Sequence, residues 1–223
     1  MKRTLSMLAG LLVLGTTAAF AGATYQESLK AGDDYRAAGL HDRALSEFET
    51  GLTQAANSTE EALALGKMAE VQAFNKQDLV KARELAEKAL AKFNVEPVGR
   101  VTALQVKAHC QIKGDNDRTA AIKTLEEAAA LPGVDWAMPA VQMNLGDCYR
   151  MTGDAAKALA AYESIIAMTQ PSPDVKATAY LNIGLTRQYN LQDPAKAKEA
   201  YQKAVSLLPS LAGEVNQHLS AVP

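Results

Sequence analysis

An all-α solenoid of about five helix–turn–helix repeats, ended by a short C-terminal capping helix, is the fold that three observations predict. Ala fills 42 of 223 positions and aromatic residues only 5%, a helix-former composition that argues against a β-sandwich or barrel. A triplet recurs: Ala44-x3-Phe48-x2-Gly51, Ala82-x3-Ala86-x2-Ala89, Ala121-x3-Leu125-x2-Ala128, Ala158-x3-Tyr162-x2-Ile165 and Ala197-x3-Tyr201-x2-Ala204. Its first positions lie 38, 39, 37 and 39 residues apart, and offsets of four and three place each triplet on one helical stripe. Turn and cap residues separate each triplet from another helical stretch before it.

Residues 1–21 read as an export signal. Lys2 and Arg3 form a basic start, and an apolar run from Leu5 to Leu14 is broken only by Ser6, Ala9 and Gly10. Thr16-Thr17-Ala18-Ala19-Phe20-Ala21 then supplies a small-residue cleavage region of A-x-A type. Cleavage is expected after Ala21, with Ala23 as the alternative. The apolar run is shorter than the ~20 residues of a membrane span, and no Cys nearby offers a lipid anchor. The signal is of bacterial type, so the expected location is periplasmic or secreted. Export would remove two of 23 basic residues and leave 21 against 25 acidic ones, taking the net charge from −2 to −4. That balance argues against nucleic-acid binding.

The repeat domain is expected over 22–209. Helix pairs are predicted near 25–38 and 42–56, 59–75 and 78–93, 98–113 and 117–131, 136–151 and 154–168, and 174–190 and 194–208. Gly39 and Gly153 mark helix ends. Ser58-x2-Glu61 reads as a capping box. Ser172-Pro173 and Asp193-Pro194 each place Pro just after a capping side chain, and Asp78, Asp117, Asp135 and Asp154 are further candidate caps. Gly32, Gly146 and Gly184 recur inside the first helices, where Gly costs about 1 kcal/mol against Ala. A close approach of the neighbouring helix is the expected reason. Residues 210–223 are predicted to cap the stack through Leu211, Val215 and Leu219 on one face of a short helix.

The pattern Leu145-Gly146-x2-Tyr149 followed by Ala158-x3-Tyr162 resembles the tetratricopeptide repeat (TPR). The match is best over about 139–170 and good in the first and fifth repeats, whose counterparts are Ala31-Gly32-x2-Tyr35 and Ile183-Gly184. The second and third lack the Gly and Tyr positions. The period exceeds the family's usual 34 residues, so turns or helix ends must be extended. That length, with Asp193-Pro194-x-Lys196-Ala197, leans slightly towards Sel1-like repeats. The resemblance implies a right-handed stack that binds a protein or peptide on its concave face. Carried over repeat by repeat, the groove positions are Leu29, Asp33 and Arg36; Lys67, Val71, Phe74 and Asn75; Gln105, His109 and Lys113; Met143, Asp147 and Arg150; and Leu181, Leu185, Gln188 and Tyr189. The carboxylate clamp of some TPRs needs Lys and Asn. Lys67 stands at one such position but Val71 at the other, so no such clamp is expected.

No catalytic motif is present. His41, His109 and His218 are far apart, and adjacent His109 and Cys110 point about 100° away from each other on a helix. No metal, cofactor or enzymatic activity is therefore expected. Cys110 and Cys148 fall at similar places in neighbouring repeats, and an oxidising compartment would permit a disulfide. Packed helix axes about 8–10 Å apart favour two buried thiols instead, and both readings stay open. The leading expectation is an exported, non-catalytic scaffold for a protein or peptide. The alternative is a structural, self-associating envelope protein, favoured if Leu208, Leu211 and Leu219 form an uncapped end.

Overall fold

The computed structural model describes residues 24–92 and 97–220, which are helices and connecting turns. The export signal expected over 1–21 lies outside the described residues. Eleven α-helices follow in order among those described. The first pair is α1 (Tyr25–Ala37) and α2 (His41–Gln54), and the second α3 (Ser58–Glu70) and α4 (Leu79–Lys92). Next come α5 (Pro97–Lys113) with α6 (Arg118–Ala129), and α7 (Met138–Thr152) with α8 (Ala155–Ala167). Then α9 (Pro173–Leu185) pairs with α10 (Pro194–Leu207), and α11 (Ala212–Ser220) closes the chain. The two helices of each pair pack together, and the second helix of each pair packs on the helix that follows it, as a linear stack requires. No helix among the described residues is long and apolar enough to cross a membrane.

Local chemistry fixes the helix starts. Asp117, Asp154, Ser172 and Asp193 each accept a hydrogen bond from the backbone N–H three residues on. Asp78 does the same for the N–H of Lys81, at 3.1 Å. Two expected caps differ. The cap of α3 is Asn57, which accepts from the Glu60 N–H at 3.0 Å, so Ser58 is already helical. Asp135 opens a short 3-10 turn (Asp135–Ala137) ahead of α7 and caps nothing with its side chain. A capping box also joins Thr24 and Glu27.

The long repeat period has a visible origin. The α3 helix runs into a π-helical turn at Val71–Asn75, and α9 into one at Thr186–Asn190. Gln77, Asn116 and Gln192 then take positive φ (58°, 54° and 53°), each just before its capping Asp. In these turns the Asp N–H donates to the carbonyl six residues back: Asp78 to Gln72, Asp117 to Gln111, Asp193 to Arg187. Gly39 and Gly153 make a shorter turn, with Leu40 and Asp154 donating to carbonyls five residues back. The linkers between pairs, such as residues 130–137 before α7, are also long.

Interior glycines admit aromatic rings. A Cβ on Gly32 would overlap the Phe48 ring, and one on Gly146 or Gly184 would overlap the ring of Tyr162 or Tyr201. All three rings are fully buried. In the second and third pairs the triplet's middle position holds Ala86 or Leu125, also fully buried. Both cysteines are buried free thiols. Cys110 packs with the alanines of the second pair, whereas Cys148 packs in the core shared by the later pairs. They point into different interfaces, which precludes the disulfide without rearrangement.

Candidate partner-binding face

The first helices of the pairs carry the positions expected to face a partner, and the structure sorts them into four groups. Leu29, Val71 and Leu181 are core residues, which corrects the expectation that they are exposed. Leu29 and Val71 lie buried between the first two pairs with Phe48. The π-helical turn beginning at Val71 changes the register there, so the stripe predicted for a uniform α-helix does not continue through it. Leu181 packs with Tyr201 and Val215 under α11.

A second group forms an ion-pair latch between α1 and α3. Lys67 Nζ meets the Asp33 carboxylate at 2.7 Å, and Arg36 meets Glu70 at 2.9 Å and Asp33 at 3.4 Å. Burial pushes the Glu70 carboxyl above its usual value, against the opposing pull of Arg36 and Lys67. Lys67 is thus engaged within the protein.

The third group is covered by α11. Gln188 donates to the His218 carbonyl at 2.8 Å and accepts from the Tyr201 hydroxyl at 2.7 Å. The Tyr189 hydroxyl is 3.1 Å from His218 Nδ1, and the His218 ring stacks on Tyr201 with centroids 6.0 Å apart. Leu185 is half-buried beside this cluster. The cap predicted for 210–223 is seen in α11, with Leu211 and Leu219 packed onto that core, so the open end that would favour self-association is not formed there.

The remaining positions flank open space. Phe74, Ala73, Gln77 and Leu79 line a cavity of about 370 Å³ that reaches His109 and Lys113. A second cavity, about 450 Å³, starts at the same His109 and Lys113 and runs to Asp147, Arg150 and Met151. Sharing these two residues, the cavities form one trough that runs from the π-helical turn after α3, past α5, to α7. Phe74, in the first cavity, is 50% exposed and Met151, in the second, 56%. His109 sits edge-on to Phe74, with ring centroids 4.7 Å apart. Burial, and then the nearby Lys113 ammonium, lower the His109 pKa below its ordinary 6.5. Asp147 is pinned by the Tyr162 hydroxyl at 2.7 Å and Asn182 Nδ2 at 3.2 Å, with Arg150 at 3.8 Å. Asn75 is exposed beside Phe74, Gln105 is half-buried on α5, and Met143 is half-buried against the core with its sulfur 3.4 Å from Asn182.

Met151, Arg118 and Asn144 also line the trough and were not among the expected positions. An apolar Met in the last turn of a helix otherwise ending in polar residues is the sequence signal that points to it. Burial pushes both cysteine thiols upward, which disfavours reactive thiolates. Among the described residues, no group of three or more His, Cys, Asp or Glu is placed to hold a metal ion.

The tetratricopeptide-repeat family model matches residues 137–210. The fold as a whole superposes on solved TPR proteins. Residues 137–210 match the family, and the chain as a whole has a TPR-like repeat fold. YrrB, described as a TPR protein with an unusual peptide-binding site, is 20% identical with a TM-score of 0.62, over 88% of this chain and 91% of that one. MamA gives 24% identity and a TM-score of 0.62 over 82% of this chain and 96% of its own. TTC0263, a thermophilic TPR protein of Thermus thermophilus, gives 19% and 0.63 over 88% and 100%. No curated protein matches the chain. At these identities the likeness concerns the fold, and the TPR fold is typically that of a non-catalytic interaction scaffold.

Proposed function

We propose that this TPR-like chain is an exported, non-catalytic scaffold that docks a protein or peptide partner in the trough between the π-helical turn after α3 and the helices α5 and α7. The observation that carries the reading is the pair of cavities that share His109 and Lys113, one lined by the exposed Phe74 and the other by the exposed Met151. Interfaces use such apolar anchors in partly preformed hollows, ringed by polar groups. YrrB, whose description includes a peptide-binding site, supports the same kind of use for this fold.

Export rests on the basic, apolar and small-residue segments of 1–21, and predicts a periplasmic or secreted protein whose mature chain begins at Gly22 or Thr24. Cell fractionation with N-terminal sequencing tests this part; a cytosolic protein that keeps Met1 refutes it. Photo-crosslinking in the native host tests docking. A photoreactive residue at position 74 should give a discrete protein adduct. The same probe at Lys88, exposed on α4, should give none. Equal adducts at both positions, or adducts only with itself, would replace docking by a structural, self-associating role.

A further inference from the structure

We infer that the trough takes an extended, acidic segment of a partner protein, with an apolar side chain on each side of the acidic run. This rests on the trough being the docking site proposed above and adds the chemistry of its occupant. Lys113, Arg118 and Arg150 line it against a single carboxylate, Asp147. That carboxylate lies 3.8 Å from Arg150, so it compensates one of the three cations and leaves the other two. Other acids near these turns are committed. Asp115 is bound to Arg83 at 2.6 Å, Asp42 is paired with Lys76, and Asp117 and Asp154 cap α6 and α8. Lys113 meets no carboxylate among the described residues. The trough is therefore locally positive in a chain whose net charge is −2, and opposite charge on the ligand is what this field selects.

The order of the lining groups sets the order within the ligand. Phe74 lines only the first cavity and Met151 only the second, and the Lys113 ammonium, shared by both, lies between them, with Arg118 and Arg150 on the Met151 side. A docked helix would need one unbroken apolar stripe in its groove. Apolar contacts separated by cations suit an extended chain, whose reach per residue lets a few carboxylates span the middle.

Selection of a random 12-residue phage-displayed peptide library on the purified chain tests this. The expected winners carry several Asp or Glu between two large apolar residues. A fluorescein-labelled winner should bind about tenfold more weakly to the Lys113→Glu/Arg118→Glu double variant. Its affinity should also fall as NaCl rises from 50 to 500 mM. Lys88→Glu should change neither, and circular dichroism should confirm that the double variant keeps its helicity. Neutral or basic winners that lose binding in Phe74→Ala or Met151→Ala would overturn the acidic ligand and leave the trough standing. Winners indifferent to every one of these substitutions, or no winners at all, would overturn the trough as well.

Discussion

In the fourth helix pair the buried ring of Tyr162 fills the space left by Gly146, and its hydroxyl reaches Asp147 on the first helix. In the second pair the middle position of the triplet is Ala86, and Ala69, in the same buried cluster, stands where a glycine would. Ala69 and Ala86 are as far apart in sequence as Gly184 and Tyr201. Both arrangements bury their residues fully, but only the aromatic one extends a polar hand through the core to the partner-facing helix. Tyr201 does the same to Gln188 in the fifth pair. Phe48, in the first, has no hydroxyl, and there the Asp33–Lys67 latch holds the face instead. In the third pair Thr124 on α6 donates to Gln111 on α5 at 2.9 Å, but among the described residues no aromatic hydroxyl from these pairs reaches Phe74, His109 or Lys113. The open trough spans the pairs without an aromatic tether and reaches the tethered Asp147.

Erasing the contrast gives the largest effect. Tyr162→Ala should cost about 3–5 kcal/mol by emptying a ring-sized space in the core. Adding Gly146→Ala should return part of that, because the new methyl enters the vacated volume and restores helix propensity. A double-mutant cycle in urea unfolding checks it, and additive losses would mean that ring and glycine are not coupled. Gly146→Ala alone should destabilise by about 1–3 kcal/mol, since its Cβ overlaps a ring with nowhere to go. Next in size is Tyr162→Phe, which keeps the ring and removes a hydrogen bond to a carboxylate, a loss of about 1–2 kcal/mol in the same unfolding assay. Gly66→Ala should have the opposite sign. The nearest atom to its Cβ is Thr102 Cγ2 at 3.7 Å, so the helix-propensity gain of up to about 1 kcal/mol should appear as a higher midpoint.

The smallest effect is in the trough itself. His109 should titrate below 6.5, because burial and Lys113 both oppose its charged form. A depressed histidine favours the neutral folded state. Its contribution to stability is full above pH 6.5 and is lost as pH falls through the folded pKa. NMR titration of the His109 ring should show this, and Lys113→Gln should move the midpoint up. A midpoint at or above 6.5 would deny the close packing against Phe74.

The helix pairs were legible in the sequence because caps and glycines are local devices. Asp117, Asp154, Ser172 and Asp193 act on the chain within three residues, so their roles need no knowledge of the fold. The Gly–ring contacts were legible as a recurrence, although the ring partner of each glycine lies on another helix. Leu29, Val71 and Leu181 show where the reading failed. Their exposure depends on an adjacent pair, on a π-helical turn at Val71 and on α11 above Leu181, none of which a uniform helical stripe contains. Phe74, His109, Lys113, Asp147 and Arg150 do line open space, because the helical stripe that places them is not packed over by a further helix. Met151 and Arg118 were missed because the trough follows helix ends and turns there.

The helix α11 also decides what can reach the outer surface of the fifth pair. His218, Val215 and Leu219 occupy the place where another helix would pack against Tyr201 and Leu181. A second copy offered at that surface would meet a filled seat, and α11 would have to be displaced before the two could stack.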